Sequence, residues 1–342
     1  MKFLEGAEME RTRWYTPKAG DTARLTVVND QLGELADNEV RVEVKAVGLN
    51  FADIFALTGL YSATPSGGFT PGLEFSGVVT ESKASDYSMG DKVMGVTRFG
   101  GYTSVIDTPA AYLSPLPTGF SFQQGAAYPV QTLTAYYALK ELGALKPSHS
   151  VLVNSAAGGV GLQAMQLIKA MGATAIGTVR SEAKQAFLAT RGDEQVLVRE
   201  DDFSAQLLRE RIHLDLVLDG VGGAVQKACF DALNPMGRLI VFGAAEFTPG
   251  KRRPNYFKAA LKYIRRPKYD VMDMISDNKS VMAFNLIWLY ENVAYLSGLM
   301  EEMQAFTTEP PHVGHEFPFN EAPAAIELLR CGNTMGKVVL TV

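Results

Sequence analysis

Cysteine is scarce. Cys229 and Cys331 are the two in 342 residues, which excludes a disulfide framework and a four-cysteine metal clip and fits a reducing cytoplasm. Histidine is nearly as rare: His149, His213, His312 and His315 are scattered along the chain, each more readily structural or exposed than a metal ligand. Long unbroken apolar runs are also missing. The oiliest stretch, Val281 to Met300, is interrupted by Asn285, Glu291 and Asn292, so a buried or interface helix is expected there and no membrane span. The opening residues, Met1-Lys-Phe-Leu-Glu-Gly, have no long apolar core and no cleavage site, so no export signal is expected. There is no excess of positive charge either; the formal net charge of −5 gives no general reason to expect a nucleic-acid partner.

What is present describes a globular chain long enough for two cores, with 47% hydrophobic and 20% charged residues. Residues 1–125 are β-rich and turn-rich. Val40-Arg-Val-Glu-Val-Lys-Ala alternates as a half-buried strand should, and Gly72–Val79, Asp91–Val96 and Tyr102–Ile106 are further short strands, together suggesting a partly closed barrel. From about Gly125 helix and strand alternate. Strands are expected at Val151–Val153, Thr174–Val179, Gln195–Val198, Asp215–Leu218 and Arg238–Phe242, with helices between them at Gly161–Met171, Ser204–Ile212 and Ala224–Leu233. Repeated βαβ units imply a doubly wound parallel sheet over 126–310. Pro310 to Pro318 breaks the pattern, and the final strand, Lys337–Thr341, is expected to return to the first domain, which 311–342 completes.

The most informative passage is Val151-Leu-Val-Asn-Ser-Ala-Ala-Gly-Gly-Val-Gly161. Ala156, Gly158 and Gly161 occupy the three positions of a G-x-G-x-x-G pattern, with alanine in the first. In such a turn Gly158 lets the backbone approach a pyrophosphate, Gly161 lets the helix lie close to its strand, and the helix start offers unpaired N–H groups. The cofactor-binding positions are therefore Ala157, Gly158, Gly159, Val160 and Gly161. A site for NAD usually carries an acid at the end of the next strand, to hold the ribose 2′-hydroxyl. None is there. Arg180-Ser181-Glu182-Ala183-Lys184 stands instead; Arg180 and Lys184 suit a 2′-phosphate, with Ser181 between them, and point to NADPH. The plainer reading makes Ser181 a helix N-cap flanked by two solvated cations.

One local excess runs against the net charge. Lys251, Arg252, Arg253, Lys258, Lys262, Arg265, Arg266 and Lys268 fall within 251–268 with no acid among them, and Tyr256, Phe257 and Tyr263 are interleaved. A basic amphipathic helix suits an anionic membrane or nucleic acid. A solvated face framing an entrance for an anionic cofactor is the commoner outcome and the preferred reading here.

Taken together, Asn50-Phe-Ala-Asp-Ile-Phe, Gly59-Leu-Tyr61, Pro71-Gly-Leu-Glu-Phe-Ser-Gly-Val, Gly90-Asp-Lys-Val, Leu133-Thr-Ala-Tyr-Tyr and the Ala156–Gly161 turn resemble the medium-chain dehydrogenase/reductase superfamily, in its zinc-independent quinone oxidoreductase (zeta-crystallin-like) branch. The texture is closest to vesicle amine transport protein-like members, whose long insert resembles Gly250–Leu286. The resemblance implies a GroES-like β-rich catalytic domain, a Rossmann domain, a cleft between them and a homodimer. Zinc-dependent relatives place a cysteine near the Asn50 position and a histidine between the glycine and glutamate of Gly72-Leu73-Glu74. Asn50 and Leu73 are neither thiolate nor imidazole, so no metal is expected. Without a Lewis acid, an electrophile already primed for hydride, a quinone or an enone, fits better than an alcohol. By resemblance, Asn50 and Tyr61 line the nicotinamide pocket and act as the catalytic pair, with Tyr61 donating to the developing oxyanion. Thr134 lies near the nicotinamide amide, Phe242-Gly243-Ala244 runs past the ring, and Gly220 belongs to a second cofactor-lining loop. A tyrosine that some relatives place near the 2′-phosphate is replaced around Val198. Two other readings stay open: an enoyl or 2-alkenal reductase of the same fold, and a low-turnover NADPH-binding protein acting at membranes or RNA through 251–268.

Overall fold

The computed structural model describes residues 9–306 and 309–342; the expectation about export rests on Met1 to Gly6 and lies outside the described residues. The described chain forms two compact units. The first comprises the residues up to Val130, Pro249–Pro254 and Val313–Val342; the second comprises Gln131–Thr248 and the described part of Asn255–His312.

The first unit begins with an antiparallel pair that the sequence did not announce, β1 (Met9–Tyr15) on β2 (Thr26–Leu32). Its main sheet follows with β3 (Glu39–Gly48), β4 (Glu74–Ser82), β5 (Lys92–Val96), β6 (Val105–Pro109) and β7 (Leu113–Pro115). Val40, Val42 and Val44 are buried along β3, as their alternation requires. They join Ile54, Leu57, Phe75, Val93 and Tyr102 in one apolar core. β6 starts three residues later than Tyr102, because Gly101 and Tyr102 donate their N–H groups to Gly72 and Pro71 and are held in a turn.

The second unit carries a wholly parallel sheet: β8 (Ser150–Asn154), β9 (Thr174–Val179), β10 (Val196–Val198), β11 (Leu214–Asp219), β12 (Leu233–Val241) and β13 (Ser280–Ala283). Spatial order is β10-β9-β8-β11-β12-β13, so the chain reverses its winding between β8 and β11. In sheets of this order ligands bind outside the carboxyl ends of the strands at that reversal. Crossovers between strands run through helices Gly159–Ala170, Glu182–Ala189, Phe203–Arg209 and Gly223–Asp231.

Two expectations are corrected by the structure. Val281–Met300 is not one helix: it resolves into β13, a short helix Leu286–Leu289 and a helix Val293–Gln304. Asn285 and Asn292 stand at the starts of those helices, and the Asn292 side chain accepts from the N–H of Tyr295 at 3.3 Å. Two of the three polar residues that interrupt the oily run, Asn285 and Asn292, are thus helix-starting residues. No helix among the described residues is long and apolar enough to cross a membrane. The segment Pro310–Pro318 contains a strand, β14 (Val313–Pro318), parallel to β15 (Lys337–Thr341). Its prolines flank the strand or close it, positions where a missing N–H does little harm at a sheet edge. β15 in turn pairs antiparallel with β3, so the tail does return to the first unit.

Candidate cofactor and catalytic sites

The turn after β8 is built as the sequence requires. Ser155 takes the left-handed conformation (φ 57°), which spares Ala156 from needing glycine's freedom. The methyl of Ala156 is fully buried, and Gly177 in β9 leaves it room, since a Cβ there would lie 2.9 Å from it. A Cβ on Gly161 would sit 2.4 Å from the Ser155 carbonyl oxygen, so this glycine sets the close packing of helix on strand. Gly158 differs: a Cβ there would meet protein only at 3.3 Å. It is the N-cap of helix Gly159–Ala170 and carries no side chain to satisfy the first N–H groups. Those donors and the positive end of the helix dipole suit an anion.

Beneath this turn runs a buried chain of polar contacts. Arg199 donates to Thr178 Oγ1 (2.8 Å), Thr178 donates to Asn154 Oδ1 (2.8 Å), and Asn154 donates to Asp219 Oδ1 (2.9 Å). Asp219 also accepts from the N–H groups of Val221 and Gly222 and from Gln226, which folds the loop after β11. Burial pushes its carboxyl above the usual range, against these donors. That loop is locked to the segment after β12: Phe242 N–H donates to Asp219, Ala245 N–H to Gly220 and Glu246 N–H to Val221. A Cβ on Gly243 would lie 3.1 Å from Gly220. The fold therefore brings Gly220 and Phe242-Gly243-Ala244, assigned separately from the sequence, side by side at the carboxyl ends of adjacent strands.

At the ends of β9 and β10 three cations gather. Arg180 is exposed, and Lys184 and Arg199 are partly buried. The Lys184 ammonium is pushed down to about 8, first by burial and then by the positive charges of Arg180 and Arg199. Burial and Arg180 likewise lower Arg199. Ser181 does stand at the N-cap of the helix Glu182–Ala189, but its side chain makes no capping bond. Sequence reasoning missed Arg199; it lies next to Val198, where the family tyrosine is replaced, and its distance in sequence from Arg180 conceals their proximity. Thr134 is buried in the helix Pro129–Tyr136. One turn earlier, Gln131 is buried with its amide oxygen lacking a donor within the protein, which leaves an acceptor for a ligand amide or for solvent.

The first unit holds the other predicted residues. Asn50 opens the helix Phe51–Thr58, but its N–H is capped from below by Asp53 Oδ2 (2.8 Å) while its own amide points elsewhere. Asn50 Nδ2 donates to Glu74 Oε1 (2.9 Å), and Asn50 Oδ1 accepts from the Lys337 ammonium (2.7 Å). Lys337 also pairs with Glu74 Oε1, and Glu74 Oε2 accepts from the N–H of Val130 at 2.8 Å. Both charges are buried, Glu74 completely. Neither Lys337 nor its partnership with Glu74 was assigned from sequence, since the two lie 263 residues apart. Asp53 further accepts from Gly72 N–H (3.1 Å) and the Tyr102 hydroxyl (3.2 Å), and burial raises its carboxyl to about 6. Tyr61 follows this helix, half-buried, with its ring packed on the core. Leu73 is buried, and no group of His, Cys, Asp and Glu among the described residues is placed to hold a metal.

Comparison with known proteins agrees with this architecture. Residues 36–118 match the family described as alcohol dehydrogenase GroES-like domain, and residues 159–284 match the family described as zinc-binding dehydrogenase. The zebrafish (Danio rerio) synaptic vesicle membrane protein VAT-1 homolog is 32% identical over 314 residues, covering 90% of this chain and 65% of that protein. Its human (Homo sapiens) counterpart is 30% identical over 309 residues, covering 88% and 78%. The chain thus spans just under two thirds of the zebrafish protein. Among solved structures, the quinone oxidoreductase of Thermus thermophilus, also determined with NADPH, superposes with a TM-score of 0.80 at 28% identity over 97% of this chain and 100% of that one. The CurK enoyl reductase gives 0.78 at 27% identity, covering 97% and 99%.

Proposed function

Since the chain belongs to the medium-chain dehydrogenase/reductase superfamily, we propose that it is an NADPH-dependent oxidoreductase acting on a quinone or an activated alkene without a metal. The observation that carries this reading lies within the second unit. A helix start with no capping side chain stands at the winding reversal, and Arg180, Lys184 and Arg199 gather at the next strand ends. Ala157, Gly158, Gly159, Val160 and Gly161 offer N–H donors to a pyrophosphate. Arg180, Ser181 and Lys184, joined by Arg199, hold the 2′-phosphate that distinguishes NADPH. Gly220, Phe242, Gly243 and Ala244 line the nicotinamide half, and Thr134 orients its amide. NADPH, when bound, supplies a hydride.

In the first unit, Tyr61 donates a hydrogen bond to the acceptor oxygen as negative charge develops there. Asn50 lines the same pocket, with its amide held in one orientation by Lys337 on one side and Glu74 on the other. Asn50 and Leu73 provide no ligand where zinc-dependent relatives hold theirs, so acceptors that need Lewis-acid activation are disfavoured. Similarity to the Thermus quinone oxidoreductase favours a quinone, and similarity to CurK favours a conjugated thioester or enal. Solvent supplies the final proton, because no general acid stands out. A homodimer fits this family, as does a reducing cytoplasm for a chain whose Cys229 is buried and Cys331 exposed.

The deciding experiment is steady-state NADPH oxidation by the pure protein with a panel of quinones, 2-alkenals and enoyl thioesters, alongside equilibrium titration with NADPH and NADH. Turnover on one acceptor class names the substrate. Tight NADPH binding without turnover on any acceptor would overturn the enzymatic reading, and absence of coenzyme binding would overturn the whole proposal.

A further inference from the structure

The basic stretch evident in the sequence forms a helix, Tyr256–Arg265, whose N-cap Asn255 accepts from the N–H of Lys258 at 3.0 Å. Its setting is unusual. All its residues except Ala259 are exposed, so neither side of the helix is taken up by the unit that carries it. Lys262 ties it to its unit by donating to the Glu246 carbonyl at 2.5 Å.

The two sides are chemically distinct. Phe257, Leu261 and Ile264 follow at i, i+4 and i+7, which places them on one stripe. They are 80%, 38% and 66% exposed. Lys258, Lys262 and Arg265 repeat the same spacing one position later, so a row of cations runs beside the apolar stripe. Arg266 lies over the Tyr263 ring at 3.8 Å and donates to the Tyr263 carbonyl at 2.6 Å, away from that row. The helix that follows, Val271–Asp277, adds exposed Val271, Met272 and Ile275, while by helical spacing its acids Asp270, Asp273 and Asp277 fall on the other side. A chain otherwise negative thus concentrates exposed large apolar side chains and a row of cations on one element. Water is a poor partner for the first, and an acidic interior would be needed to bury the second.

We propose that this helix is an interfacial anchor that lies on a membrane surface rich in anionic phospholipid. Phe257, Leu261 and Ile264 enter the headgroup–acyl boundary, and Lys258 and Arg265 reach back to the phosphates. Apolar burial supplies the non-specific part of the attraction, and the cations supply the preference for anionic headgroups and its sensitivity to salt. A folded protein partner would need a complementary acidic groove. A lipid surface presents both chemistries in the layered order the helix shows. Among the described residues no helix is long and apolar enough to cross the bilayer, and in this arrangement the helix rests on one leaflet.

The test is flotation of the full chain with vesicles of phosphatidylcholine alone and of phosphatidylcholine mixed with phosphatidylserine, at low and high salt. The wild-type protein should float with the mixed vesicles at low salt, bind phosphatidylcholine alone far more weakly, and lose much of its binding at high salt. Two variant pairs separate the contributions: Phe257→Ser with Ile264→Ser, and Lys258→Gln with Arg265→Gln. Each pair should weaken partitioning about tenfold, while circular dichroism and thermal unfolding of each variant report that the protein is still folded. Partitioning that neither pair affects would overturn the proposal, as would none at all to the mixed vesicles. If sedimentation instead shows a dimer that Phe257→Ser dissociates, with no vesicle binding, the face belongs to a second copy. Retention on single-stranded RNA without vesicle binding would likewise replace lipid by RNA. The proposal does not depend on the reductase reading: vesicle binding is scored without coenzyme or acceptor, so either can fail alone.

Discussion

Two clusters of charge, one in each unit, are built on opposite principles. In the first unit buried Lys337, Glu74 and Asp53 and half-buried Asn50 have donors matched to acceptors, and the cluster ties β15, β4 and a helix start together. In the second unit Arg180, Lys184 and Arg199 crowd like charge at two strand ends, and burial first, with the two arginines adding to it, pushes Lys184 down to about 8. A compensated cluster fixes geometry, and removing a member exposes its partner to a low-dielectric interior. A like-signed cluster is relieved when an anion arrives. The first suits scaffolding; the second suits an anion, such as the 2′-phosphate proposed for it.

The sharpest break of this comparison is Glu74→Leu, which strands the Lys337 ammonium inside the protein. We expect a loss of about 3–5 kcal/mol in denaturant unfolding. Pairing it with Lys337→Met should restore much of the loss, whereas an unrecovered double variant would show that the pair does more than neutralise itself. Next in size, Arg180→Glu or Arg199→Ala should weaken NADPH by about ten- to a hundredfold, the range for a charge-assisted hydrogen bond, and leave NADH nearly untouched. Equal losses for both coenzymes in fluorescence titration would remove these residues from the 2′-phosphate.

Removing the Tyr61 hydroxyl (Tyr61→Phe) should slow single-turnover hydride transfer by about three- to tenfold without altering coenzyme affinity. A change in coenzyme affinity alone would assign the ring a binding role. The mildest effect is on pH. A phosphate prefers Lys184 protonated, and its lowered folded value of about 8 means that the charge is lost as pH rises through 8. Affinity for NADPH should therefore fall by a few-fold to at most about tenfold between pH 7 and 9, with uptake of a proton on binding at the upper end. NADH affinity should stay flat, and Lys184→Arg should flatten the NADPH curve.

The architecture was largely legible because periodicity is local. β9 and β15 fall where alternation and turn residues place them, and the Ala156–Gly161 corner carries its own steric logic. β1 and β2 were missed because Met9–Tyr15 and Thr26–Leu32 alternate weakly and leave one face in solvent. β14 was missed because prolines on either side look like breaks until the strand is known to lie at an edge. Individual glycines and Arg180 could be proposed from sequence, but their company could not. Arg199 joins Arg180 through the pairing of β10 with β9, and Lys337 reaches Glu74 because β15 lies against β3. Such juxtapositions are created by sheet register, which a linear pattern does not contain. The basic stretch is the reverse case: composition showed the cations, and only the fold showed that Phe257 and Ile264 are left outside the core.

The return of β15 to β3 also sets an order of events during synthesis. Glu74 leaves the ribosome long before Lys337, so its buried position stands without a counter-ion while the whole intervening nucleotide-binding unit emerges and can close its own parallel sheet. Maturation is thus ordered in time. The half of the protein that begins first finishes last, and a nascent chain stalled before residue 337 would carry a complete parallel sheet in its second unit and a first-unit sheet still lacking β15.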